Sequence, residues 1–151
     1  QGLYFDKKTQ HLWSNEHGPR GGDEINLIRV GANYGWPIAS YGKEYWAPIQ
    51  VGESTSKEGV EEPKKVFIPS IAPSSLLIYR GDLFKGWNGD FLSTALALRH
   101  LNNVKLESGK VYETRFLENL NERLRDVIEA SDGSLLISTD SGQILQVFPA
   151  H

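Results

Sequence analysis

Apolar and polar residues alternate along this chain in short runs, broken every eight to twelve residues by Gly, Asp, Ser or Asn. The run "EINLIRV" alternates between Ile25 and Val30 and stops at "GANYG". A period of two ending in glycines predicts a half-buried strand followed by a turn. "GLYFD" and "QHLWSNE" flank "KKTQ" as the arms of a hairpin. "SLLIYRG" follows "APSS" as a further strand, and "GDFLSTALALRHLNNVKLESGKVYETRFL" reads as two or three strands with a turn at "ESGK". "RDVIEASDGSLLISTDSGQILQVF" predicts three strands with turns at "SDGS" and "DSGQ". Helical periodicity is scarce. Short strands with regular turn signals predict an all-β sandwich, barrel or propeller. "GLYFDKKTQHLWSNEHG" and "DVIEASDGSLLISTDSG" share a strand, turn, strand cadence, and repetition of such a unit favours the propeller. Residues 47–66, "APIQVGESTSKEGVEEPKKV", are polar and aperiodic and read as a long surface loop.

Composition narrows the classes. Of the 151 residues, 39% are hydrophobic and 23% charged, as in a globular chain. The net charge of -3 and the lack of any Lys/Arg-rich run speak against a nucleic-acid or anionic-membrane partner. The chain has no cysteine, so disulfides, a thiol nucleophile and cysteine-ligated metal are excluded. No apolar run reaches membrane-spanning length. No signal peptide is visible, and a chain that opens at Gln1 rather than Met reads as part of something longer.

Candidate chemistry gathers in two places. "SNEHGPRGGDEINLIRVGANYGWP", Ser14 to Pro37, sets glycines and prolines around an acid pair. Gly18 and Pro19 distort the chain so that carbonyls can point together at a hard cation, with Asp23 and Glu24 adding negative charge. The plainer alternative is a turn followed by a solvated acid pair. "GPRGG" lacks the Lys-Ser/Thr ending and the helix of a phosphate loop. The histidines His11, His17, His100 and His151 have no zinc spacing, and no "GxSxG" elbow supports a hydrolase triad. In "NERLRD", Arg123 and Arg125 stand two apart, so on a strand both guanidiniums share a face. Such a pair suits a planar polyanion, or else bridges in solvent to Glu122 or Asp126.

Three motifs in order, "EHGPRGGDEINLIRVGANYGWP", "PSIAPSSLLIY" and "RLRDVIEASDGSLLISTDSGQI", resemble the C-terminal half of soluble quinoprotein sugar dehydrogenases of the glucose/sorbosone dehydrogenase family. The resemblance is nearest to the bacterial aldose sugar dehydrogenases and covers nearly the whole chain. It implies a six-bladed β-propeller of which residues 1–151 supply about three blades, with pyrroloquinoline quinone (PQQ) and calcium as cofactors. It also implies that aldoses are oxidised to lactones by hydride transfer to calcium-bound PQQ.

Carried over residue by residue, Gly18 and Pro19 would offer backbone oxygens to the PQQ calcium. Glu24 and Tyr34 would hold a second, structural calcium. Arg123 and Arg125 would meet the quinone cofactor, Thr94, Ala95 and Leu96 would line its pocket, and Tyr45 would join them. Ala97 stands where the glucose dehydrogenases carry a lysine, and Lys43 where they have an acidic metal ligand. The family's general-base histidine matches no residue here, so no catalytic residue is assigned and the isolated piece is expected to be inactive. The implied partners are an aldose, the N-terminal half of the same propeller and an artificial or periplasmic electron acceptor, with a periplasmic or secreted location. The competing reading is a propeller binding module or structural piece without quinone chemistry, which Ala97 favours and the arginine pair disfavours.

Overall fold

The computed structural model describes residues 1–150. His151 lies outside the described residues. The chain divides into two compact units, one holding Leu3–Ala72 and the other running from Pro73 onward.

The first unit is built on an antiparallel sheet of β1 (Gly2–Asp6), β2 (His11–Glu16), β3 (Asp23–Ile28) and β4 (Lys65–Phe67), ordered as in the chain. The β1–β2 hairpin turns because buried Asp6 organises "KKTQ". Its carboxylate accepts the Lys8 N–H at 3.1 Å and the Thr9 hydroxyl at 2.5 Å, and its carbonyl accepts the Gln10 N–H at 2.7 Å. This is the usual local use of an Asp side chain at a turn. Register places Leu12 opposite Ile28 and Glu16 opposite Glu24. The segment between β3 and β4 contains no strand, only isolated bridges joining Asn33 to Val60, Ala39 to Ser54 and Lys43 to Gln50.

The second unit holds two antiparallel sheets. One consists of β5 (Pro73–Ile78), β6 (Phe91–Ala95), β7 (Leu101–Glu107) and β8 (Lys110–Phe116). The other consists of β9 (Leu124–Glu129), β10 (Leu135–Thr139) and β11 (Ile144–Val147), with a short 3-10 turn at Glu118–Leu120 before it. β5 and β6 are buried almost throughout, the polar residues Ser75, Ser93 and Thr94 included. β8 is exposed and charged, as suits an outer edge.

The core between the sheets is formed by Leu76, Ile78, Leu92, Ala95, Leu124, Val127, Leu135 and Ile137. Tyr79 is fully buried, meets Phe84 edge-on at 5.6 Å, and donates its hydroxyl proton to the Gly133 carbonyl at 2.8 Å. The all-β expectation and the strand assignments hold. The β9–β11 sheet has three strands, with no fourth partner among the described residues.

Candidate cofactor and metal sites

In the second unit the fold gathers polar side chains that lie far apart in the sequence. Ser74 Oγ donates to the Leu124 carbonyl at 2.8 Å and lies 2.9 Å from Thr94 Oγ1. Ser75 Oγ is 2.8 Å from the same Thr94 hydroxyl and accepts the Val127 N–H at 3.2 Å. Buried hydroxyls are tolerable only when paired. Here their pairing stitches β5 and β6 to β9, at the residue between Arg123 and Arg125.

Leu124 is 0% exposed, whereas the side chains of Arg123 and Arg125 are 46% and 48% exposed. The alternation therefore turns both arginines away from the core. Their partner is neither Glu122 nor Asp126 but Asp140, just beyond β10. Asp140 donates its N–H to the Arg123 carbonyl at 2.9 Å. Its Oδ2 lies 3.1 Å from Arg123 Nε, and its Oδ1 accepts a hydrogen bond from Arg125 Nε. The Arg125 hydrogen bond, with the charges of both arginines, holds the Asp140 carboxyl below its ordinary range. The Nη ends of both guanidiniums have no protein hydrogen bond among the described residues. A planar polyanion fits this donor set.

Of the predicted triplet, Thr94 and Ala95 are fully buried and Leu96 is half-buried, with Ala97 exposed beside it. The turn after them is closed by the Ala95 N–H donating to the His100 carbonyl at 3.0 Å. Arg99, at φ 52°, reaches from it to Asn121 Oδ1 at 2.8 Å, tying the turn to the segment that leads into Arg123. His100 is completely buried, with Nδ1 3.1 Å from the Leu98 carbonyl, and burial pushes its imidazole pKa down. It is a packed core histidine.

The first unit holds the other predicted residues. A Cβ on Gly18 would lie 2.3 Å from the Gly21 carbonyl oxygen, so only glycine lets the "HGPRGG" loop fold this tightly. The Gly18 N–H donates to Asp23 Oδ1 at 2.9 Å. Asp23 Oδ2 accepts Ser70 Oγ at 2.7 Å and the Ile71 and Ala72 N–H groups, each at 2.8 Å. Asp23 is 0% exposed. It is neither a solvated acid nor a spare metal ligand, but the pin that joins the loop to "SIA".

The Pro19 carbonyl accepts the Lys43 N–H at 2.8 Å, while the Gly18 carbonyl accepts no N–H among the described residues. Arg20 Nη1 donates to the Tyr45 carbonyl at 3.3 Å, and Tyr45 is 74% exposed.

Glu24 sits in an electrostatically strained place. Asn26 Nδ2 donates to Glu16 Oε1 at 2.6 Å and to Glu24 Oε2 at 3.0 Å, and Asn26 Oδ1 is buried without a partner. Burial raises the Glu24 pKa, and the charges of Glu16 and Glu62 add to that against the Asn26 hydrogen bond. Like charges directly across a strand pair are unfavourable, and a divalent cation would relieve them. The Tyr34 hydroxyl is engaged, donating to the Leu27 carbonyl at 2.9 Å and accepting the Arg29 N–H at 2.7 Å, so only its main chain is free to ligate. No ready set of three or more His, Cys, Asp or Glu side chains stands around a metal position among the described residues. A cation here would need main-chain oxygens as well.

Sequence reasoning missed Asp140 and Asn26 and the joint role of Ser74, Ser75 and Thr94. Asp140 lies in a "DSG" turn that explains its presence locally, so its tie to the arginines left no nearby signal.

The chain is similar to known proteins over nearly its whole length. The chain is 38% identical over 157 aligned residues to the aldose sugar dehydrogenase YliI of Escherichia coli, covering 100% of this chain and 42% of that protein. It superposes on the crystal structure of the soluble aldose sugar dehydrogenase of Escherichia coli, in the apo-form, with a TM-score of 0.92. The two are 35% identical, over 99% of this chain and 44% of that one. It also superposes on the PQQ-bound aldose sugar dehydrogenase of Streptomyces coelicolor with a TM-score of 0.69 and 28% identity, over 92% of this chain and 36% of that one. The chain thus spans roughly two-fifths of the length of the relatives it matches. Its sheets are about three blades of a six-bladed β-propeller. Residues 1–146 match the family described as Glucose / Sorbosone dehydrogenase, and with these relatives they establish that the chain belongs to the glucose/sorbosone dehydrogenase family.

Proposed function

We propose that this chain is the C-terminal part of a PQQ- and calcium-dependent dehydrogenase that oxidises aldoses to lactones. The observation that carries the reading is the arginine pair: two guanidiniums on one face, anchored at Nε by Asp140 and open at their Nη ends. A relative with the same fold has been solved with PQQ bound. When bound, PQQ supplies the two-electron acceptor for the sugar's hydride. Arg123 and Arg125 bind its anionic groups and favour the more electron-rich reduced form. Leu96, backed by buried Thr94 and Ala95, lines the cofactor pocket, and Tyr45 joins it.

Gly18 and Pro19 offer main-chain oxygens to the calcium that accompanies the cofactor, and the unpartnered Gly18 carbonyl is the better placed of the two. Glu24 and the Tyr34 main chain hold a second, structural calcium. No residue of this chain takes the sugar's hydroxyl proton; that base belongs to the N-terminal half, the remaining partner in closing the propeller. The family resemblance further supports a periplasmic or secreted enzyme passing electrons to a periplasmic or artificial acceptor.

The competing reading is a binding module without quinone chemistry, which exposed Ala97 favours by leaving no lysine at that position. The test is titration of the intact apo-protein with PQQ in the presence of calcium, followed by dye reduction with an aldose. Saturable PQQ binding with sugar-dependent dye reduction is expected. Absence of both would leave the module reading standing.

A further inference from the structure

We infer that Asp140 is a positioning residue for the cofactor: its single carboxylate fixes the spacing and direction of the Arg123 and Arg125 donors. The inference rests on the reading of the arginine pair given above and assigns a role to a residue outside that pair.

Three observations converge on Asp140. Each of its carboxylate oxygens faces a different guanidinium, Oδ2 at 3.1 Å from Arg123 Nε and Oδ1 in a hydrogen bond with Arg125 Nε. Its backbone N–H holds the Arg123 carbonyl at 2.9 Å, so main chain and side chain grip the same short segment. That segment is held from the other side by Ser74, whose hydroxyl donates to the Leu124 carbonyl at 2.8 Å. The arginines are therefore fixed at the backbone on both sides and at Nε, while their outer donors stay open.

Charge alone and positioning predict opposite outcomes, and this makes the inference decidable. Two guanidiniums against one carboxylate leave a local excess of one positive charge. If Asp140 is merely a counter-ion, removing its charge raises the excess and tightens the binding of an anion. If it positions the arginines, removing it frees two long side chains that must then be immobilised on binding, and affinity falls despite the added positive charge.

The experiment is fluorescence titration of the intact apo-protein with PQQ in calcium, for Asp140→Asn, Asp140→Glu, Arg125→Ala and the double variant Arg125→Ala/Asp140→Asn. Asp140→Asn is expected to weaken PQQ binding about tenfold, the order set by immobilising one or two rotamer-rich side chains. Its melting temperature should stay within about 4 °C of wild type, because a half-exposed ion pair adds little to stability. Asp140→Glu should recover part of the affinity. In the double variant Asp140→Asn should lose part of its effect, since only Arg123 is left for it to position.

Unchanged or tighter binding by Asp140→Asn overturns the inference, as does full additivity in the double variant. If Asp140→Asn does not fold, Asp140→Glu decides: severalfold weaker binding supports positioning, and wild-type affinity overturns it. If Arg125→Ala itself leaves affinity unchanged, the cofactor reading fails and the inference falls with it. That outcome is distinct from one in which only the Asp140 variants are silent.

Discussion

Arg125 and Glu24 carry opposite kinds of electrostatic imbalance, and each gives a test. Arg125→Ala is expected to weaken PQQ binding and slow its reduction by more than the twofold, or roughly 0.4 kcal/mol, that separates a contact from a bystander. Arg125→Lys should restore only part, because an ammonium cannot copy a planar fork held at Nε. Stopped-flow reduction and PQQ titration read the two quantities separately.

For Glu24 the sign follows from its pKa, which burial raises above the ordinary 4.5. A carboxyl that binds its proton more tightly when folded loses native stability as pH rises from the ordinary value through the raised one. Above the raised value the cost of ionisation is fully present. Without calcium, Glu24→Gln should therefore melt no lower than wild type above the raised value, and that advantage should shrink as pH falls from there towards 4.5. With calcium the order should reverse, because a neutral amide is the weaker ligand. Melting curves over pH, with and without calcium, check both halves.

At the scale of elements, the hydrogen bonds that hold the loops are as consequential as the strands. Asp23→Ala strips acceptors from the Gly18, Ile71 and Ala72 N–H groups and from Ser70 Oγ. Each orphaned buried donor costs about 1–3 kcal/mol, so a loss on the order of 3 kcal/mol or more is expected in urea unfolding. Asp23→Asn, which keeps one acceptor oxygen, should lose less.

The strands themselves were legible because alternation and turn chemistry are local. Ile25, Leu124 and Ile137 fall on buried faces where their spacing puts them. Leu124 between two exposed arginines is the clearest case. The pin at Asp23 was not legible, because its partners lie 47 to 49 residues away and no spacing rule reaches that far. The continuous burial of Ser93 and Thr94 on β6 also escaped pattern reading, since polar residues in a fully covered strand look like solvent-facing ones until their hydroxyl partners are known.

At the scale of the whole chain, the net charge of -3 offers no general attraction for an anion, so a tight hold on an anionic cofactor would have to be local, at a pair such as Arg123 and Arg125. No helix among the described residues is long and apolar enough to cross a membrane. Calcium should stabilise the intact protein, since a ligand that binds only the folded state adds about 2.7 kcal/mol at a hundredfold excess over its Kd. A chelator should lower the melting temperature correspondingly, and no shift in a calcium titration would count against both metal sites.

The pairing of β3 with β4, reinforced by Asp23 on Ser70, closes the base of the excursion over residues 29–64. A loop sealed at its base is insulated from the sheet in length, because doubling a flexible loop costs only about 0.6 kcal/mol of closure entropy. Gly59 lies in the exposed turn closed by the Val60 N–H on the Lys57 carbonyl, at φ 81° with open space where a side chain would be. That makes it a natural point for insertion. A short Gly/Ser peptide or an affinity tag spliced there should leave the melting temperature nearly unchanged, which would provide a handle for tethering the protein to an electrode or surface.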